Sequence, residues 1–196
     1  MMICLRQNDS PLRGILIGKF PLCGNSPSFR RRRIIIHAKR DRKDIKKMKY
    51  SIFSPIDGEV LFLSTVPDEA FSSGMLGEGF AVKPSGETVC APASGVIGTV
   101  SENGHAYSIA SDIGDLLVHI GVDTVHLEGV FEPMVKPGQK VAAGQPICRA
   151  DFKKIRAAGL CESVILLITE KTVPGEVKIQ KGIVRGGKDI ALRIEK

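Results

Sequence analysis

Tryptophan is absent from this chain of 196 residues, and aromatic residues make up only 5% of it. A core without large rings falls to Val, Ile and Leu, of which the β-branched pair favour strands. The five cysteines (Cys4, Cys23, Cys90, Cys148 and Cys161) include no Cys-x-x-Cys and leave one thiol over in any pairing. That argues against a disulfide framework and suits reduced, buried thiols in the cytoplasm. No apolar run approaches the roughly 18 residues that would span a bilayer.

The net charge of +7 is unevenly distributed. Residues 1–49 hold 14 Lys and Arg against 3 Asp and Glu; residues 50–196 hold 14 against 18. The basicity therefore belongs to a leader, and the remainder is mildly acidic, which gives no reason to expect nucleic-acid binding by the folded part. The leader has no sustained period, and its run Arg30–Arg33 is followed by further Lys and Arg up to Lys49. Such a segment repels itself and is expected to be disordered. Met48 directly precedes the patterned region, so a second expectation is that residues 1–47 are an upstream extension of a chain that starts there. A secretory signal is not expected, because the apolar central region is missing.

From residue 50 the texture changes. Short apolar runs alternate with turn residues every 8–12 positions, aided by 21 glycines and 11 prolines in the whole chain. The pattern predicts an all-β fold, an antiparallel sandwich or barrel of about twelve short strands. Among them are Gly95–Val100, Ala106–Ala110, Leu116–Ile120 and Val164–Ile168. One helical turn is expected at Asp68–Phe71 and a short helix capped by Asp151, reaching about Ala158. The stretches Ser54–Val60 and Ala91–Ile97 share Pro-x-x-Gly followed by a β-branched residue, an internal echo that fits repeated turns in a sandwich.

His105 and His119 carry the candidate chemistry. Imidazole is nucleophilic and largely neutral near pH 7. Period-2 alternation sends Leu116, Val118 and Ile120 toward a core and His119 to the opposite face. Asn103-Gly104 marks a turn ahead of His105, and Ser111–Asp115 supplies a connection to the strand of His119. A hairpin of these strands would bring the two rings together. Gly121 is expected to leave room above the ring of His119, and His126 to lie on the surface of a following strand.

The stretches SPIDGEV, VPDEAF, GEGFAVKPSG, CAPASGVIGTV, GHAYSI, DLLVHIGVDTV, VKPGQKVAAG and ALRIEK resemble, in order, the enzyme IIA domain of the glucose family of the bacterial sugar phosphotransferase system. The resemblance covers residues 50–196. It implies a cytoplasmic phosphocarrier, peripherally associated with a membrane permease, whose phosphohistidine intermediate forms on His119. His105 is implied as the ring that stabilises the phosphate. HPr is the implied donor and the IIB domain of a sugar permease the acceptor, with regulated metabolic enzymes or transporters as further partners. The implied docking surface comprises Asp68, Phe71, Leu76, Leu117, Val118 and Asp123. No cofactor is required; the resemblance allows a regulatory zinc ion on His105 and His119. The chain departs from the family where Asn103 replaces a threonine, His126 a carboxylate, and Leu117 and Ser101 aromatic residues. Backbone N–H groups near Gly121 and Val122 are further candidate phosphate donors.

Other classes fit less well. His119-x-x-x-Asp123 matches a ligand pair of lysostaphin-type zinc endopeptidases, but no His-x-His follows it. A biotinyl or lipoyl carrier would present Met-Lys in a hairpin, and Met134-Val135-Lys136 is out of register. A non-catalytic regulatory module on the same fold would not require the histidine pair.

Overall fold

The computed structural model describes residues 49–196; the expectations for the leader lie outside them. Fourteen strands appear among these residues. They are β1 (Lys49–Phe53), β2 (Gly58–Leu61), β3 (Glu78–Pro84), β4 (Thr88–Cys90), β5 (Gly95–Val100), β6 (Ala106–Ser111) and β7 (Gly114–Ile120), then β8 (Phe131–Pro133), β9 (Lys140–Val141), β10 (Pro146–Ala150), β11 (Val164–Lys171), β12 (Glu176–Ile179), β13 (Gly182–Val184) and β14 (Ile190–Glu195). The ladders are antiparallel and form the β-sandwich expected from the alternation. An eight-stranded sheet runs β13-β2-β3-β11-β7-β6-β5-β9, and two smaller sheets run β1-β14-β12 and β4-β10-β8.

The strand order has an internal symmetry. β1, β2, β3, β11, β12, β13 and β14 occupy places equivalent to β4, β5, β6, β7, β8, β9 and β10, in the same chain order. The second set is contiguous and inserted between β3 and β11 of the first. Hydrogen bonds at the centre repeat accordingly. Phe53 N donates to Pro92 O at 2.9 Å and Cys90 N to Pro55 O at 2.7 Å. Gly187 N donates to Ser54 O at 2.7 Å and Gly144 N to Ala91 O at 2.8 Å. The Pro-x-x-Gly echo thus marks the two matching turns of a nested duplication.

This duplication explains why one site forms rather than two. Followed through the ladder registers, His119 corresponds to Leu167 and His105 to Glu78. The connection between β2 and β3 spans residues 62–77, whereas that between β5 and β6 spans only 101–105. The longer connection holds a 3-10 turn at Leu63–Thr65 and helix α1 (Glu69–Ser72). It lays Val66 and Phe71 over Ala81, Ile165 and Leu167 on the outer face of the large sheet. The shorter one leaves its half of that face open beside His119.

On the inner face Leu116, Val118, Ile120, Val164 and Leu166 are fully buried in the main core. Val118 therefore cannot serve on the docking rim, where the resemblance placed it: the period-2 alternation points its side chain away from that surface. Helix α2 (Phe152–Ala157) starts at Asp151, whose carboxylate accepts from Lys153 N at 3.1 Å and Lys154 N at 3.2 Å, and it buries Phe152 and Ile155. Cys90 and Cys148 are buried and Cys161 half-buried, all as free thiols. The pattern missed β8 and β12, short strands rich in polar or part-exposed residues that pair at sheet edges.

Candidate functional site

The site grows from the β6–β7 hairpin. Its register sets Ala106 opposite His119, and Ile120 N donates to His105 O at 2.8 Å just beyond the ladder. The two imidazoles thereby meet with ring centroids 5.0 Å apart and planes at 77°. Phe71 from α1 approaches His119 at 5.0 Å between centroids. Phe131 flanks His105 at 6.4 Å. Asp68 caps α1, its carboxylate accepting from Phe71 N at 3.2 Å, and so fixes the ring that rests on His119.

Chain reversal after β7 fixes the orientation of His119. Gly121 takes φ of +75°, and Asp123 is the lone non-glycine residue with positive φ among the described residues, at +59°. Thr124 Oγ1 donates to Ile120 O at 2.7 Å and closes the turn from inside. The Gly121 carbonyl consequently sits 2.8 Å from His119 Nδ1. A carbonyl can only accept, so Nδ1 carries the hydrogen and Nε2 carries the lone pair. Burial lowers the His119 pKa, and His105 adds to the effect; the Gly121 bond, Asp68 and Asp123 partly oppose it. Burial alone lowers that of His105. At neutral pH His119 is an uncharged ring with a fixed tautomer, the form of a nitrogen nucleophile.

Asp68, Phe71, His105, His119 and Asp123 border one shallow cavity of about 160 Å³. Leu117 is half-buried beside the cluster of Phe71. Leu76 is 42% exposed but does not border the cavity. Three expectations need correction. An alanine Cβ at Gly121 would meet Thr124 Cγ2 at 2.4 Å, so this glycine serves the turn rather than open space above the ring. Gly121 N and Val122 N already donate to Ser163 O (3.0 Å) and Cys161 O (2.9 Å), which removes both as phosphate donors. His126 is exposed but belongs to the 3-10 turn Thr124–His126, not to a strand.

Sequence reasoning singled out Val122 only for its backbone N–H and missed Val125, yet both line the cavity; Val125 is 53% exposed. Their signal was two valines three apart in a turn too short to bury both. Among the described residues no group of three or more His, Cys, Asp or Glu side chains is placed to hold a metal ion. Two imidazoles fall short of a tetrahedral zinc set, so a zinc ion on this pair would need a further ligand from a partner.

Comparison with known proteins gives a consistent identity. The family model described as phosphoenolpyruvate-dependent sugar phosphotransferase system, EIIA 1, matches residues 50–173. The glucose-specific EIICBA component of Streptococcus pneumoniae is 38% identical over 146 residues, 74% of this chain but only 20% of that protein. The chain thus spans about a fifth of such multidomain relatives. The glucose-specific EIIA component of Buchnera aphidicola is 35% identical over 150 residues, 74% of this chain and 92% of that one. The solved structure of glucose permease IIA from Mycoplasma capricolum aligns with a TM-score of 0.68 and 32% identity, covering 74% of this chain and 96% of the other. The chain belongs to the EIIA 1 family of the phosphoenolpyruvate-dependent sugar phosphotransferase system.

Proposed function

We propose that His119 accepts a phosphoryl group from phospho-HPr at Nε2 and passes it to the IIB domain of a sugar permease. The observation that carries this reading is the pair of rings on one cavity, each with Nδ1 engaged, which leaves Nε2 as the uncommitted nitrogen of each. In the forward step the His119 Nε2 lone pair forms a new N–P bond as the N–P bond of the carrier breaks. The electron pair of the broken bond returns to the carrier's ring nitrogen. A carrier ring that arrives as the phosphoimidazolium leaves neutral, and His119 becomes the phosphoimidazolium with its Nδ1–H still on Gly121 O. No proton changes residue in this exchange, and it needs no cofactor.

The transition state is loose and spreads charge over three phosphoryl oxygens, so positioning dominates the catalysis. Phe71 and His105 confine the His119 ring on two sides. Asp68 and Asp123, on the rim of the cavity, would meet a cationic side chain of the donor and favour encounter. Fusion of EIIA to other components in relatives named EIICBA and EIIBCA supports a IIB partner. No helix among the described residues is long and apolar enough to cross a membrane. The proposed place of action is the cytoplasmic side of the membrane, beside the permease.

Incubation with phospho-HPr followed by peptide mass spectrometry tests the assignment. One acid-labile phosphoryl group on His119 is expected, lost in His119→Ala. His105→Gln should still accept but donate poorly to IIB. Labelling that survives His119→Ala overturns the reading.

A further inference from the structure

At the end of the large sheet farther from His105, β13 forms an open edge. It pairs with β2 on one side only, four strand spacings or about 19 Å from β7. Alternate residues of a strand direct their N–H and C=O groups to opposite sides, so at least one residue of Gly182–Val184 turns both away from β2. Such edges are normally covered or made polar. Here the register sets Ile183 opposite Glu59 on the outer face, and Ile183 is 81% exposed. Phe62, just past β2, is 46% exposed. A cavity of about 160 Å³ opens beside them, lined by Val60, Leu61 and Ile179 together with Phe62. The space where a Gly182 Cβ would stand is empty to 4 Å. Lys181, which also lines the cavity, holds its ammonium group 4.7 Å from the centre of the Phe62 ring. It has no carboxylate partner among the described residues.

We propose that this edge docks an extended, acidic segment of a partner protein, which adds to β13 as a further strand. The main chain of the segment takes up the outward N–H and C=O groups. One of its apolar side chains covers Ile183 and Phe62, and a carboxylate two positions away meets Lys181. Two other occupants fit worse. A bilayer would cover the apolar groups but leave the hydrogen-bonding edge without partners in hydrocarbon, and Glu59 would face its anionic headgroups. A second copy joined antiparallel about Ile183 would set Lys181 opposite Arg185 at both ends, cation against cation. A partner held at β13 leaves the cavity of the two histidines open, and its docking does not depend on the relay proposed above.

The probe is the peptide Asp-Thr-Ile-Thr-Asp-Thr-Ile, acetylated and amidated to remove its terminal charges, titrated into the full ¹⁵N-labelled chain and followed by NMR. Amide shifts should concentrate at Leu61, Phe62 and Gly182–Val184, with slower amide exchange in β13. The same peptide with Lys in place of each Asp should bind about tenfold more weakly, the loss expected when one charge-assisted bond is replaced by repulsion. Lys181→Glu should reverse that preference. Ile183→Thr keeps a strand-forming residue on the surface and should weaken binding of the acidic peptide about tenfold, while the imidazole signals of His105 and His119 stay as they were.

Absence of shifts at β13 in the unmodified chain overturns the proposal without any variant having to fold. So do equal affinities for the two peptides, or a preference that Lys181→Glu leaves unreversed. Flotation with phosphatidylglycerol–phosphatidylcholine vesicles and sedimentation of the chain alone test the other occupants. If Ile183→Thr abolishes vesicle binding or dimerisation and leaves peptide binding intact, lipid or a second copy covers the edge and the proposal fails. Failure of His119 to be phosphorylated would overturn the relay and leave the peptide result standing.

Discussion

Replacing Gly121 by alanine should damage fold and site together, and the structure says by what route. At φ of +75° an L-residue costs about 1 kcal/mol. The new Cβ would lie 2.4 Å from Thr124 Cγ2 and 3.1 Å from Cys161 O. Relieving the first contact requires the turn to move, and overpacking of this kind costs about 1–3 kcal/mol. Gly121→Ala is thus expected to lose about 2–4 kcal/mol. Thr124→Ser removes the offending methyl but keeps the hydroxyl that bonds Ile120 O, and by itself costs about 1 kcal/mol for the buried methyl. The double variant should then be more stable than the sum of the singles predicts, by at least about 1 kcal/mol. Urea denaturation of the four proteins measures the cycle. Additivity within about 0.5 kcal/mol, or a Gly121→Ala loss below about 1 kcal/mol, would refute the steric account. Because Gly121 O orients His119, phosphoryl acceptance should fall in Gly121→Ala and partly return in the double variant.

Two further outcomes follow from buried polar groups. Tyr107 is fully buried, and among the described residues its hydroxyl has no nitrogen or oxygen partner, only the weakly bonding Cys148 thiol beside it; burial, and then that thiol, push its pKa upward. Tyr107→Phe should be neutral or stabilise by about 1 kcal/mol in urea denaturation, and a loss above about 1 kcal/mol would show that the hydroxyl is satisfied. The second concerns pH. Folding lowers the pKa values of His105 and His119, so the unfolded chain takes up these protons first as pH falls. Their contribution to stability is full above the unfolded value of roughly 6.5 and is lost as pH drops through it toward the folded values. Denaturation across that range, compared with a His105→Gln/His119→Gln protein, should show a steeper acid loss in the unmodified chain; parallel curves would refute it.

Elements with local signals were legible from the order of residues alone. Alternation along Leu116–Ile120 set His119 apart from the core, and the same rule excluded Val118 from the surface even though the family resemblance placed it there. Asp151 marked its helix, and Asn103-Gly104 marked the turn before His105. Cap and pleat are dictated by residues close in the chain, so these features were legible. The remaining features come from contacts between distant segments. The distance between the two rings depends on the register of β6 against β7. The closure over His119 depends on a connection sixteen residues long, folded onto strands far from it in sequence. The link from Asn103 to Thr124 and Val125 spans more than twenty residues. Such contacts arise from how one repeat is inserted into the other, and alternating hydrophobicity contains no term for which distant surfaces will meet.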